Sequence, residues 1–208
     1  MPCFTPGIST VTAQGERAIE ELRVGDLLVT RDSGLQEVRW IGVRSYSFGE
    51  IRAQPHLKPV LIRTGSLGQG RPEADMMLSP NMRVLTTRDR SALHFDRREP
   101  LIAAKHLLAG QMIRTAEVLG VTYLHILLDR HETILANGLW VELFHPGDPS
   151  LGARGNAQRS EIFEIFPELR AELREGAREG ARGEAAAARP PLTRDEARRE
   201  SVLIDFSR

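Results

Sequence analysis

The sequence predicts an all-β domain over residues 1–147, followed by a helical, partly disordered tail over residues 148–208. Up to Gly147, short apolar runs are broken by Gly, Pro, Asn or Asp at intervals of roughly 8–15 residues, which is the spacing of a β-rich domain. These runs are too many and too brief for a parallel α/β sheet. After Gly147 the sequence changes to a linker, then a helical pattern, then low-complexity Ala/Arg/Glu/Gly sequence.

The clearest hairpin lies in "GDLLVTRDSGLQEVRWIG". Leu27–Thr30 is predicted as a strand, Asp32–Gly34 as a turn of the Asp-x-Gly type, and Glu37–Ile41 as the return strand. Two short helical segments are predicted: Met76–Leu78, near a turn of helix, and Glu99–Leu108, whose apolar residues have helical spacing. The remaining predicted strands are Ala18–Ile19, Leu61–Arg63, Val84–Thr86, Gln111–Thr115, Tyr123–Leu128, Thr133–Ala136 and Leu139–Val141.

The tail begins with the helical pattern "RSEIFEIFPELRAEL". Its apolar stretch, Ile162–Leu173, is expected to pack against the β domain, and a protein partner is a second use for the tail. Further along, arginines stand four residues apart on one helical face, which suits either an anion or partner site or a solvated face. Interspersed glutamates and two interior glycines favour the solvated face. These arginines are Arg170, Arg174, Arg178 and Arg182.

The overall composition excludes several functions. The 28 Lys and Arg residues balance 28 Asp and Glu residues, so no net charge draws the chain to nucleic acid or to an anionic membrane. No apolar run reaches the roughly 18–20 residues needed to span a bilayer, and the start lacks a secretory signal, which predicts a cytoplasmic protein. No Cys-x-x-Cys or His-x-x-x-His spacing occurs, so neither a metal nor another cofactor is predicted.

Cys3 is the single cysteine in the chain. The third residue is an unusual place for a core position unless a strand ties it down, so a nucleophilic role is the main alternative to packing. A nucleophilic cysteine needs a nearby base or a depressed pKa. His125, Asp129 and His131 share strand parity and are predicted to lie on one face as such groups. Alternatively, Asp129 and His131 simply lie in the turn before Thr133.

Five blocks of sequence resemble the Hint superfamily, which is shared by inteins and the autoprocessing domain of Hedgehog proteins. They are "CFTPGIST", "TAQGERAIEELRVGDLLVT", "RWIG", "LSPNMRVL" and "DRHETILANGLWVELFHPG". The resemblance covers residues 3–147 and is strongest to the bacterial Hedgehog/intein branch. It implies a β-horseshoe of two pseudo-symmetric halves, in which the first-block cysteine and the last-block residues meet in one central cleft.

The resemblance also implies a reaction. In such domains the first residue, here Cys3, attacks the carbonyl of the residue before it, so the upstream peptide bond is the substrate and a thioester is the product. In the family's Thr-x-x-His block, Ser79 occupies the Thr position and Met82 the His position. Methionine can neither donate nor accept a proton in this pH range.

The resemblance assigns the remaining groups by position. His125 lies near the last-block Asp or other base, and His131 matches the His before "ANG". A shift of one residue in the alignment would exchange roles between these histidines and Asp129. Glu142 and Leu143 stand where inteins carry the terminal His-Asn pair. Because neither can cyclise, peptide cleavage rather than full splicing is expected.

Three functional hypotheses follow. The first is an autoprocessing domain that acts through a Cys3 thioester; only Met1 and Pro2 precede Cys3, so this activity could be degenerate. The second is a catalytically inactive Hint scaffold that serves as a binding or structural module. The third is an intermolecular thiol hydrolase that uses Cys3 with His125 or His131.

Overall fold

The computed structural model describes residues 2–86, 101–147, 156–171 and 173. Within them the chain is built mainly from short antiparallel strands, which confirms the all-β prediction. The strands are β1 Ser9–Thr12, β2 Gly15–Ala18, β3 Leu27–Thr30, β4 Gly34–Glu37, β5 Trp40–Ser47, β6 Val60–Ile62, β7 Met76–Leu78, β8 Arg83–Leu85, β9 Leu101–Ala103, β10 Ile113–Thr115, β11 Gly120–Leu127, β12 Glu132–Ala136 and β13 Leu139–Leu143. The helices are α1 Phe48–Ala53 and α2 Asn156–Ile165.

The strands form three sheets. The largest has eight strands in the order β2-β1-β3-β12-β13-β8-β9, with β4 paired to β3, and β1 also pairs with β12. The second has the order β10-β6-β7, and the third is the pair β11-β5. β5 and β11 pair along their whole length, from Trp40 opposite Leu127 to Ser47 opposite Gly120. This long ribbon carries His125 opposite Gly42.

The hairpin β12–β13 turns at Asn137 and Gly138. Both residues have positive φ, 44° and 74°, as a two-residue type I′ hairpin turn requires. The Asn137 Oδ1 also accepts a hydrogen bond from the backbone N–H of Ser9 at 2.8 Å. The turn thereby fixes the start of β1 against the last hairpin of the domain.

The N-terminal segment lies between two sheets. Phe4 forms β-bridges to Leu78 at the end of β7 and to Leu124 in β11. The backbone N–H groups of Phe4 and Leu124 each donate to the other's carbonyl at 2.9 Å. These bonds tie down the third residue of the chain, the condition under which a cysteine there becomes a core residue.

Two apolar clusters fill the interior. The larger contains Phe4, Met82 and residues of the eight-stranded sheet. The second contains Cys3, Tyr46 and Tyr123 together with Ile162, Phe166 and Leu169 from the C-terminal segment. The prediction that the stretch Ile162–Leu173 packs against the β domain is therefore confirmed for its described residues. Arg174, Arg178, Arg182 and the low-complexity sequence lie outside the described residues.

Two predicted helices are wrong. Met76–Leu78 is strand β7, paired with β6, and its burial alternates with the period of two that a strand requires. Within Glu99–Leu108, residues 99 and 100 are not described, Leu101–Ala103 is strand β9 beside β8, and Ala104–His106 is a single 3-10 turn. Such short apolar runs do not distinguish helix from strand, and a neighbouring strand decides between them.

Most predicted strands have somewhat different bounds in the structure, and two of the differences change the interpretation. The return strand of the first hairpin is Gly34–Glu37, since Gly34 already pairs with Thr30 and leaves a tighter turn. Trp40 and Ile41 belong instead to β5 in another sheet. Ile19 begins a 3-10 turn rather than ending a strand.

No helix in the described part of the chain is long and apolar enough to cross a membrane.

Candidate functional site

The peptide bond between Pro2 and Cys3 is held at both of its polar atoms. The Pro2 carbonyl oxygen lies 2.8 Å from Nδ1 of His125. The Cys3 N–H donates to the Ser79 Oγ at 2.7 Å, and the Ser79 N–H donates back to the Cys3 carbonyl at 3.0 Å. Strands β7 and β11 thus place a hydroxyl at the amide nitrogen and an imidazole at the carbonyl oxygen. Both contacts follow from the bridges of Phe4 to these strands.

His125 is buried and neutral. Its partner, a carbonyl oxygen, can only accept, so Nδ1 carries the proton and donates. Burial lowers the pKa of His125 from 6.5 to about 4, although the backbone carbonyls of Pro2 and Phe144 favour the charged form. Nε2 is buried and has no hydrogen-bond partner among the described residues. The imidazole is therefore a fixed neutral donor aimed at the Pro2 carbonyl.

The side chain of Cys3 lies in the second apolar cluster, whose part around Cys3 and His125 is here named the chamber; it includes Tyr46, Tyr123, Phe166 and Trp40. Cys3 is 0% exposed, and its neighbours in the cluster include Tyr46 and Tyr123. The Tyr123 hydroxyl donates to the Leu57 carbonyl at 2.6 Å. Burial raises the pKa of both tyrosines, and the Cys3 side chain adds to this effect. Both phenols accordingly stay protonated beside the thiol.

Aromatic rings close the chamber around His125. Phe166, just after α2, stacks on the imidazole with ring centroids 6.3 Å apart and planes 21° apart. Trp40 meets the imidazole edge-on at 6.3 Å and meets Phe166 at 5.3 Å. Gly42 lies beneath these rings, because a Cβ there would come within 2.7 Å of Phe166 and would also contact Trp40. The absence of a side chain at Gly42 gives the two rings their space.

Met82, at the position where the resemblance places a histidine, belongs to the larger apolar cluster and is buried. Its backbone N–H donates to the Ser79 carbonyl at 3.0 Å, which closes the turn that presents the Ser79 hydroxyl. Met82 therefore supports the loop through its backbone and fills core space with its side chain. The Ser79 hydroxyl is the polar side chain of this loop at the Cys3 nitrogen.

Asp129 and His131 do not contact the Pro2–Cys3 amide in the way that His125 and Ser79 do. Strand β11 ends at Leu127, so the predicted common face does not extend to either residue. The Asp129 carboxylate is 53% exposed and accepts two bonds from Arg39, at 2.9 and 3.0 Å. His131 Nε2 lies 3.1 Å from Glu142 Oε1, which also accepts from Arg83 at 2.9 Å. Their assignment as catalytic residues stays a prediction.

Glu142 forms the centre of a buried ionic group. Burial alone would raise the pKa of its carboxyl, but the His131 and Arg83 side chains together outweigh burial, so that the pKa is lowered. Glu142 Oε2 and His131 Nδ1 are buried without a hydrogen-bond partner in the described part of the chain. Within that part, no group of three or more His, Cys, Asp or Glu side chains is placed to hold a metal ion.

Sequence reasoning missed three residues of the chamber: Trp40, Gly42 and Phe166. "RWIG" was noticed as a block, and Phe166 was predicted to lie on an apolar helical face, but neither pattern indicates a contact with His125. The missing signal is the pairing of β5 with β11, which sets Gly42 opposite His125. The pairing of Gly42 with His125, 83 positions apart in the sequence, cannot be obtained from a local pattern.

The family comparison decides the identity of the domain. The profile described as Hint domain matches residues 2–148. The chain belongs to the Hint domain family. This matches the predicted Hint-type fold, and the Hint domain contains Cys3, Ser79 and His125. No curated protein sequence matches the chain.

Several solved structures are similar to this chain at low identity. The solution structure of a bacterial intein-like domain from Clostridium thermocellum is 14% identical, with a TM-score of 0.40, over 69% of this chain and 99% of that one. A crystal structure of the MchDnaB-1 intein is 10% identical, with a TM-score of 0.40, over 69% and 100%. The gp41-1 intein is 14% identical, with a TM-score of 0.39, over 67% and 97%.

Proposed function

We propose that this Hint domain is a self-processing module in which the Cys3 thiol attacks the carbonyl carbon of Pro2, an N-to-S acyl shift that ends in peptide cleavage. The observation that carries the proposal is the pair of side-chain hydrogen bonds to the Pro2–Cys3 amide. His125 donates to the carbonyl oxygen at 2.8 Å, and the Ser79 hydroxyl lies 2.7 Å from the nitrogen. Every buried peptide bond needs a hydrogen-bond partner at both polar atoms. The support for the proposal is that both partners here are side chains whose groups can take part in acyl transfer, an imidazole N–H at the oxygen and a hydroxyl at the nitrogen.

The bond changes balance within the site. The Cys3 Sγ forms a bond to the Pro2 carbonyl carbon while the carbonyl electrons move to oxygen. The His125 Nδ1–H stabilises the resulting oxyanion. The carbon–nitrogen bond then breaks, and the thiol proton passes to the departing Cys3 nitrogen, for which the Ser79 hydroxyl is a relay. The product is a thioester with a new amino group on Cys3.

Neutrality of His125 suits this role. Since its pKa is about 4, the imidazole retains one N–H and no charge at neutral pH. Its burial leaves the donor fixed before the reaction, so no solvent has to reorganise as the oxyanion forms. Donors of this kind typically contribute about 10²–10³-fold in rate.

The thioester is resolved by cleavage. Glu142 stands where splicing members carry the terminal His-Asn pair, and its carboxylate is held by Arg83 and His131. A carboxylate without an amide nitrogen cannot cyclise to release a second flank. Attack by water or by an external thiol on the thioester carbon is the remaining route, and it restores the Cys3 thiol.

A reporter protein fused directly before Pro2 tests this proposal. Incubation with dithiothreitol or hydroxylamine, followed by intact mass, should reveal release of the reporter. Cys3→Ala should abolish release, and His125→Phe should slow it by about 10²–10³-fold. His56→Gln, at an exposed histidine, serves as the matched histidine control and should leave the rate unchanged. Release that persists in Cys3→Ala, or equal rates in both histidine variants, would contradict the mechanism.

The second hypothesis, an inactive Hint scaffold, has one supporting observation. Met82 is buried in the apolar cluster at the position of the family's proton-transferring histidine. If the reporter fusion of the unchanged chain stays intact while a folded Met82→His variant releases the reporter, the chain is a catalytically inactive scaffold. Met82→Leu provides the packing control. An intermolecular thiol hydrolase is not favoured, since Cys3 is completely buried.

A further inference from the structure

The C-terminal segment covers the site just described. Ile162 in α2, followed by Phe166 and Leu169, is buried in the same cluster as Cys3. Phe166 also stacks on His125 and contacts Trp40. The segment formed by residues 156–171, here named the cap, therefore contacts the surroundings of both the thiol and the imidazole.

The cap is attached without being part of a sheet. Between described residues its backbone hydrogen bonds are internal, for example from Phe166 to Ile162 at 2.8 Å and from Leu169 to Phe166 at 3.1 Å. Between described residues, a polar attachment to the β domain is the bond from Arg159 Nε to the Pro146 carbonyl at 2.6 Å. The apolar side chains Ile162, Phe166 and Leu169 pack against the domain as well. The cap can therefore separate from the domain without breaking any strand pairing.

We propose that the cap is a removable lid that controls access of external nucleophiles and thiol reagents to Cys3. Closed, it leaves the thiol with no exposed surface. Open, it exposes the chamber while the β domain stays folded, because the Pro2–Cys3 amide is held by β7 and β11 rather than by the cap. Resting on the proposed function, the lid also determines when water or an external thiol reaches the thioester.

Gly42 offers a way to open the lid from below. It lies in β5, directly opposite His125 in the ribbon. A methyl group at this position would meet the Phe166 ring at 2.7 Å and the Trp40 side chain as well. Gly42→Ala thus acts as a wedge beneath the cap and leaves the cap's own sequence unchanged. Gly49→Ala is the matched control, because its nearest neighbour is a side-chain oxygen 4.0 Å away.

The test is the rate at which iodoacetamide alkylates Cys3 in the full chain, followed by intact mass. Because Cys3 is the only cysteine, each modified molecule reports one site. Phe166→Ala and Gly42→Ala should speed alkylation, on the order of 100-fold for Phe166→Ala, which removes a large buried side chain. Phe48→Ala, at a Phe that is 52% exposed, and Gly49→Ala should leave the rate unchanged.

Global unfolding also exposes Cys3, so each variant's unfolding by urea is measured in parallel. Opening of the cap alone exposes little surface, so alkylation in low urea should depend only weakly on urea concentration. If alkylation of both variants stays at the wild-type rate, or rises only as far as their loss of global stability requires, the lid is refuted. Phe166→Leu replaces Phe166→Ala if the alanine variant does not fold.

Failure of the lid and failure of the proposed function are distinguishable. Alkylation requires only an accessible thiol and no cleavage. A reporter fusion that never cleaves, together with faster alkylation in the wedge variant, would remove the self-processing proposal and support the lid. Cleavage of the fusion, together with alkylation at the wild-type rate in both Phe166→Ala and Gly42→Ala, would support the self-processing proposal and refute the lid.

Discussion

Acidification is expected to destabilise the fold through His125. The imidazole is buried, and its pKa is lowered from 6.5 to about 4, first by burial and further by His145. In the unfolded chain the same group recovers its ordinary pKa. Between pH 6.5 and about 4 the unfolded state therefore binds a proton that the folded state does not.

The sign and size follow from this difference. Because the pKa of His125 is lower in the folded state, its contribution to stability is fully present above pH 6.5. This contribution decreases as the pH is lowered from 6.5 to about 4. The full loss corresponds to about 3 kcal/mol. Two glutamates act differently. The lowered pKa of Glu142 reduces stability on acidification only below its ordinary value of 4.5. The raised pKa of Glu132 has the opposite sign, so that protonation of this carboxyl on acidification favours the folded state.

Urea unfolding followed by tryptophan fluorescence at a series of pH values measures the effect. His125→Gln retains an N–H donor for the Pro2 carbonyl but does not titrate. The natural chain should lose about 3 kcal/mol more than this variant across the interval from pH 6.5 to about 4. Parallel curves for the two proteins would refute the reasoning, since they would show that His125 protonates equally well in both states.

Two further substitutions test interactions away from the Pro2–Cys3 amide. Glu142→Gln removes the charge that Arg83 and His131 share, so the free energy of unfolding should fall by about 3–5 kcal/mol in urea titrations; a loss below about 1 kcal/mol would contradict this. Gly138→Ala combines a positive φ of 74° with a Cβ 2.7 Å from the Glu73 side chain, so the melting temperature should fall by several degrees. A melting temperature no lower than that of the natural chain would mean that the turn relaxes freely.

Much of the fold was predictable because its signals are local. The β12–β13 hairpin requires positive φ at Asn137 and Gly138, and the sequence supplies an Asn-Gly pair there. The apolar run Leu27–Thr30, followed by the Asp32–Gly34 turn signal, likewise predicted the bounds of β3. Met76–Leu78 was misassigned because three apolar residues carry no period, and its pairing with β6 decides the structure.

The site was only partly predictable, for the same reason. Cys3 and Ser79 were found through the order of sequence blocks, and His125 through its place on an apolar strand. Asp129 and His131 were grouped with His125 by counting parity past the end of β11, where the chain leaves the strand and parity no longer fixes direction. Phe166 needed tertiary information, since an apolar helical face does not specify what it covers.

The pair of side-chain hydrogen bonds to the Pro2–Cys3 amide spans sequence separations of 76 residues to Ser79 and 123 residues from Pro2 to His125. During synthesis the thiol is made first, and its two partners emerge from the ribosome much later. Contacts of such long range form late and slowly in folding. On the proposed mechanism, the Cys3 thiol is therefore inert while the chain grows, and it gains its two partners only when β7 and β11 have reached their final places.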